Sequence, residues 1–341
     1  MKISLQKSKQ LQAIAILMML CLHLFNRDYH GLFRPLIFIG KQPLSYYISL
    51  FCDACVPIFA FVSGYGLYFK FVNSRKTYRI DNLKRLKKLY INYWIILILF
   101  AVLLGWVLGK EGYPGGFQKF LLNFLGLNNS YNGAWWFFTI YLFFVLTSGF
   151  WFLLLDKLNP YLFLCILGIL YIVAFYFRVY NKTGIFSHDL IWFHKQLALY
   201  FCTLFQFMLG AFALKYDWNR LASKVFARIH YKNAAALLFI ILLIIFHSIV
   251  PNFIIAPITG LVFILLFLQL NIGEAGNRIL DYFTPHYTNL WLIHMFLYMI
   301  YFHHFVYGFR YVPLIFLVLI ILCLMCSYIV NFLNKKVQNL I

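Results

Sequence analysis

An all-α, polytopic membrane helix bundle is the fold class this sequence predicts. Of its 341 residues 64% are hydrophobic and 11% charged, whereas soluble domains run near a quarter charged. The apolar residues fall in continuous stretches near the roughly 20 residues that cross hydrocarbon as a helix. A transmembrane barrel would instead alternate over segments of about ten residues. The 29 Lys and Arg, against 9 Asp and Glu, gather in alternate connections, as the positive-inside rule requires. The net charge of +20 therefore points to a cytoplasmic membrane face and excludes a nucleic-acid partner.

Taken in order, about ten spans lie near residues 9–26, 44–69, 89–109, 134–155, 161–179, 195–215, 233–250, 253–271, 287–306 and 311–333, in one domain over 1–341. Lys2, Lys7 and Lys9 precede the first. No small-x-small cleavage site follows it, so it is expected to be a retained span and not a signal peptide. In the second, Pro57 lacks the N–H that would bond the Asp53 carbonyl, so that helix is expected to open there. Residues 70–88 are expected as a basic loop, and 117–127 as a segment too short to span that lies at the interface. The fourth span opens on Trp135-Trp136-Phe137-Phe138, which suits an aromatic belt. The fifth and sixth are plain apolar runs, Pro251-Asn252 makes a tight hairpin between the seventh and eighth, the ninth carries His294, and the tenth ends near the C-terminus. With the N-terminus inside, cytoplasmic segments hold 20 of the basic residues and outer segments 9, which places both termini in the cytoplasm.

Ionisable groups inside lipid are expensive and mark function. His23 closes the first span on the face that carries Gln12, because eleven steps of about 100° return to the same stripe about 16 Å along the axis. An imidazole can take a proton from a hydroxyl or carry an acyl group; near an interface it can equally bond a carbonyl or a lipid headgroup. Asp53 is the one carboxylate in the middle of a span, the other eight acids, Asp189 among them, lying in loops or at helix ends. Beside an opened helix it suits a binding cavity or, alternatively, an interhelical hydrogen bond. Ser63-Gly64-Tyr65-Gly66 admits a close neighbour, with packing the favoured reading. Among the other imidazoles His294 is the expected cavity residue, His247 has no polar neighbours of note, and His303-His304 fits an interface. Lys84, Arg85 and Lys88 either anchor a loop or hold phosphates. Trp136 suits the belt or a stacked sugar. The seven cysteines lie in apolar stretches, and Cys52-x-x-Cys55 and Cys323-x-x-Cys326 lack the ligand set of a structural zinc site, so no metal is expected.

In this order the segments resemble acyltransferase family 3, multi-spanning enzymes that O-acylate glycans of the bacterial envelope. That family's first helix carries a basic residue, ten further residues and a histidine. Its second has Val-Pro-x-Phe-x-x-x-Ser-Gly-Tyr/Phe, and its third follows a basic stretch closing in Tyr-Trp. The matching stretches here are 12–23, 56–65 and 84–94, with Trp135-Trp136-Phe137-Phe138-Thr139 and Leu292-Ile293-His294 as later landmarks. Gln12 stands where the family has Arg or Lys, Ile91 where it often has Pro, and an added esterase-like domain is not expected. The resemblance implies a multi-pass O-acetyltransferase of the bacterial cytoplasmic membrane. It would move an acetyl group from acetyl-CoA to a hydroxyl of a cell-envelope or capsular polysaccharide, or of its lipid-linked precursor. His23 would act as base or acyl carrier, and Asp53 would orient or neutralise it. Lys84, Arg85, Lys88 and Gln12 would meet the donor, and Ser63, Tyr65, His294 and Trp136 would line the substrate cavity. Succinyl transfer to the same glycans is one alternative. A proton-coupled transporter or flippase is another, and it would show repeated halves with paired broken helices, which the sequence lacks.

Overall fold

Within lipid a backbone finds no partner but itself, and a chain this apolar meets that demand with helices. A computed structural model describes residues 2–182 and 190–340; Asp189 lies outside the described residues. The described helices are α1 (Leu5–Phe25), α2 (Leu44–Phe51), α3 (Cys55–Asn73), α4 (Tyr78–Ile96), α5 (Leu104–Val107), α6 (Phe117–Phe124), α7 (Trp136–Lys157), α8 (Pro160–Val179), α9 (Ile191–Lys215), α10 (Trp218–Phe226), α11 (Lys232–Ile249), α12 (Ala256–Gln269), α13 (Gly273–Phe283), α14 (Tyr287–Met295), α15 (His303–Gly308) and α16 (Val312–Leu340). Eight of the expected spans are helical stretches of 18 residues or more. The other two are shorter: Phe253–Gln269, and α14 with the π-helical turn Phe296–Tyr301 that continues it. The chain is thus a multi-pass membrane protein. A two-stranded antiparallel hairpin, Phe38–Ile39 with Gln42–Pro43, is the sheet described.

Local chemistry accounts for the punctuation. The break expected at Asp53 is present: α2 stops at Phe51, a 3₁₀ turn covers Cys52–Ala54, and α3 begins at Cys55. Asn159 Oδ1 accepts the N–H groups of Tyr161 (3.0 Å) and Leu162 (3.2 Å) and so caps α8, with Pro160 in its first turn. At the Pro251-Asn252 hairpin Asn252 Oδ1 accepts the Ile254 N–H at 3.0 Å. The basic loop expected over 70–88 is corrected, since α4 begins at Tyr78. Lys, Arg and Leu are good helix formers, and neither Gly nor Pro interrupts residues 78–88.

The chain packs as two units. The first holds Met1–Ala15, Leu50–Tyr78 and Phe143–Asp281; the second holds Ile16–Ser49, Arg79–Leu142 and Tyr282–Ile341. In the first, α3 and α9 touch backbone to backbone. A Cβ on Gly64 would stand 1.7 Å from the Phe207 carbonyl oxygen, and one on Gly210 2.0 Å from that of Phe61. Small residues thus serve packing here, as expected. In the second unit Tyr93 stacks on Phe138 at 4.2 Å, and Trp135 packs edge-on to Phe296 at 5.6 Å. A second π-helical stretch, Leu97–Leu103, frees a carbonyl at Phe100 that accepts the Tyr301 hydroxyl at 2.5 Å.

Candidate active site

The second unit brings two histidines into contact. His23, in the last turn of α1, is half-buried, and His294, in α14, is fully buried. His23 Nδ1 lies 2.6 Å from His294 Nε2, with the two rings within 8° of coplanar. His294 Nδ1 faces the carbonyl oxygens of Trp291 (2.8 Å) and Leu290 (3.1 Å). Carbonyl oxygens only accept, so this nitrogen carries the proton. In a neutral ring His294 Nε2 then holds a lone pair and accepts the N–H of His23 Nδ1. His23 is thereby held as the Nδ1–H tautomer, and its Nε2, which has no hydrogen-bond partner among the described residues, keeps its lone pair for a substrate. Of the two roles open to His23 in the sequence, neither a carbonyl nor a headgroup takes its ring; another histidine does.

The surroundings fix that geometry. Trp135 Nε1 and Asn132 Nδ2 both donate to the Leu292 carbonyl (3.0 and 2.9 Å), Trp291 Nε1 donates to Ala134 O (2.9 Å), and the Ala134 N–H reaches Met295 Sδ (3.1 Å). These bonds pin α14 on both sides of His294. The π-helical turn begins at Phe296 and carries Tyr298, whose ring lies parallel to that of His294 at 6.0 Å. Arg27 Nη2 donates to the His23 carbonyl at 2.9 Å and closes the C-terminus of α1.

Asp53 belongs to the first unit and has a partner there. Its Oδ2 lies 3.3 Å from His247 Nε2, and His247 Nδ1 lies 3.4 Å from Thr259 Oγ1. Thr259 spends its own proton on the carbonyls of Ala256 and Ile255 (3.2 and 3.3 Å), so it accepts from His247. The expectation that His247 lacks polar neighbours is corrected, and the carboxylate expected to serve His23 is engaged by His247. An acid and an imidazole in lipid neutralise each other most cheaply by pairing. Asp53 Oδ1 is buried without a partner.

The other expected site residues are spread over both units. Lys84 and Lys88 sit one turn apart on the exposed side of α4, while Arg85 is half-buried and hydrogen-bonds Tyr141. Gln12 and Ser63, in the first unit, are half-buried. Tyr65 is buried, and its hydroxyl accepts the Ile3 N–H at 2.8 Å. Trp136 is half-buried against Phe137, and its neighbour Trp135 is the indole that reaches α14. Sequence reasoning missed the support from Trp135, Asn132 and Met295. It also missed buried Gln10, whose Nε2 donates to Asn277 Oδ1 (2.9 Å) and Asp281 Oδ1 (3.0 Å). The double Trp at 135–136 was the available signal, but it read as a belt.

Residues 8–332 match the family model of an acyltransferase domain, that of acyltransferase family 3. No match was found among curated proteins or among solved structures.

Proposed function

The chain belongs to acyltransferase family 3, and from that premise we propose that it moves an acetyl group from acetyl-CoA to a hydroxyl of a bacterial envelope or capsular glycan, or of its lipid-linked precursor. The observation that carries this reading is the 2.6 Å bond between His23 Nδ1 and His294 Nε2. It makes a base held in one tautomer by a second group, the logic by which nucleophiles are activated in acyl transfer. His23 Nε2 takes the acceptor hydroxyl's proton as that oxygen attacks the acetyl carbonyl carbon. The carbon–sulfur bond breaks, and the proton passes from His23 to the departing thiolate of coenzyme A, so the imidazole ends as it began. Through its Nδ1–H the transient imidazolium keeps its bond to His294.

Lys84 and Lys88 meet the donor's phosphates as point charges, and Arg85 meets them through a guanidinium steadied by Tyr141. Gln12 replaces a cation on the stripe that ends in His23 and contributes hydrogen bonds only. The cytoplasmic membrane, with both termini and the α3–α4 connection inside, is the proposed location.

The test is the acetyl content of the envelope glycan by mass spectrometry in cells with and without the protein, and with His23→Ala at equal expression. Loss of acetylation in both deficient strains is expected. An unaltered level with His23→Ala refutes the mechanism, and a missing succinyl group in place of acetyl reassigns the donor.

A further inference from the structure

We propose that the first unit carries a binding groove for a lipid whose apolar chain bears a hydroxylated headgroup, with Gln196 as its polar contact. The inference rests on the acyltransferase reading and narrows the acceptor to its lipid-linked form. Helices α7 and α9 enclose a cavity of about 580 Å³, walled by Phe143, Phe150 and Trp151 on one side and by Trp192 and Tyr200 on the other. That volume is typical of small-molecule sites, as is an apolar wall with few polar groups. From residue 192 to residue 200 the groove runs about 12 Å along α9, and both helices belong to stretches long and apolar enough to cross a membrane. Its occupant therefore comes from the bilayer.

The polar groups of the groove say which lipid. Thr147 Oγ1 donates to Phe143 O at 2.7 Å and so accepts from the Tyr200 hydroxyl at 2.6 Å, which accepts from Trp151 Nε1 at 2.6 Å. These three satisfy one another. Gln196 is different: the residue is 9% exposed, lines the groove, and its Oε1 is buried without a partner. Buried acceptors left in that state are costly and rare. However the amide is turned, it presents an acceptor as well as donors. The ester carbonyl of an ordinary phospholipid chain only accepts and cannot complete it, whereas a sugar hydroxyl donates and accepts. Gln196 lies five residues into α9, about 8 Å from its start, a depth at which a lipid's headgroup meets its chain.

Photolabelling decides the matter. The full protein in nanodiscs is irradiated with a dodecyl glycoside carrying a diazirine on its chain, and the labelled peptides are mapped by mass spectrometry. A second arm uses the same diazirine chain on phosphatidylcholine. The glycoside should label α7 and α9. Gln196→Leu should lower that labelling about fivefold, the worth of one buried hydrogen bond. Leu146→Trp, at a position 63% exposed at the groove's edge, should block it without touching the core. Glycoside labelling elsewhere, or phosphatidylcholine labelling α7 and α9 as strongly as the glycoside, overturns the proposal. Acetyl transfer is measured on the same samples. Specific labelling without any transfer would sink the acyltransferase reading and leave the groove standing, and transfer with no labelling of α7 and α9 would do the reverse.

Discussion

Replacing His294 by Leu separates the base from the group that orients it. Leu fits a site that is fully buried, but His23 Nδ1–H loses the acceptor that now stands 2.6 Å away. A buried donor left unpaired costs about 1–3 kcal/mol. The ring is then free to turn, or to move its proton to Nε2, where it no longer acts as a base. Removing the orienting member of a hydrolytic triad lowers kcat about 10⁴-fold, and general base catalysis as a whole contributes about 10²–10⁴-fold. His294→Leu is therefore expected to lower kcat by about 10²–10⁴, or about 2.7–5.4 kcal/mol of barrier. The KM for acetyl-CoA should hold, because the lost interaction matters mainly in the transition state. His294→Gln places an amide oxygen near the position of Nε2, restores the acceptor, and should stay within about tenfold of the native rate. Release of coenzyme A thiol from protein in nanodiscs, at matched monodispersity, is the assay. A Leu variant within about threefold of native, or a Gln variant as inactive as Leu, would refute the tautomer argument.

Other outcomes follow from the same geometry. Gly64→Val drives a side chain into the Phe207 carbonyl, where even a Cβ would stand at 1.7 Å, and should lower Tm by the equivalent of at least about 1–3 kcal/mol. Gly66→Ala, with nothing within 4 Å of its Cβ, should leave Tm alone. Asp53→Ala strands buried His247 and should cost about 3–5 kcal/mol, part of which His247→Leu in the same chain recovers; a single variant with native Tm would show the pair to be idle. Arg85→Ala should raise the KM for acetyl-CoA without affecting insertion, and an unchanged KM would leave Arg85 only its bond to Tyr141. For topology, a membrane-impermeant thiol reagent on intact cells should label Asn128→Cys and not Ser74→Cys, and the opposite pattern would invert the orientation.

Features governed by nearest neighbours were legible before any coordinates. The break at Asp53 depends on a proline four residues on, and the hairpin at Asn252 on a side chain that bonds its own backbone. The start of α4 was equally local, yet the charges of residues 78–88 drew the reading towards a loop although their helix propensity was plain. His23 stood out because an imidazole at the end of an apolar span needs a reason to be there. Trp135 did not, because adjacent residues on a helix point about 100° apart, and which of the two indoles meets α14 depends on how the helix is turned.

By itself the sequence determined the solvent, the helices and their breaks, since hydrocarbon leaves the backbone one economical form and each interruption answers to residues within a turn. It also determined which side chains were costly enough to demand a purpose. Only the tertiary structure decided whom those side chains meet: His23 with His294, 271 positions away, and Asp53 with His247. A hydrogen bond selects its partner over tenths of an ångström, and those distances arise from the packing of helices far apart in the chain.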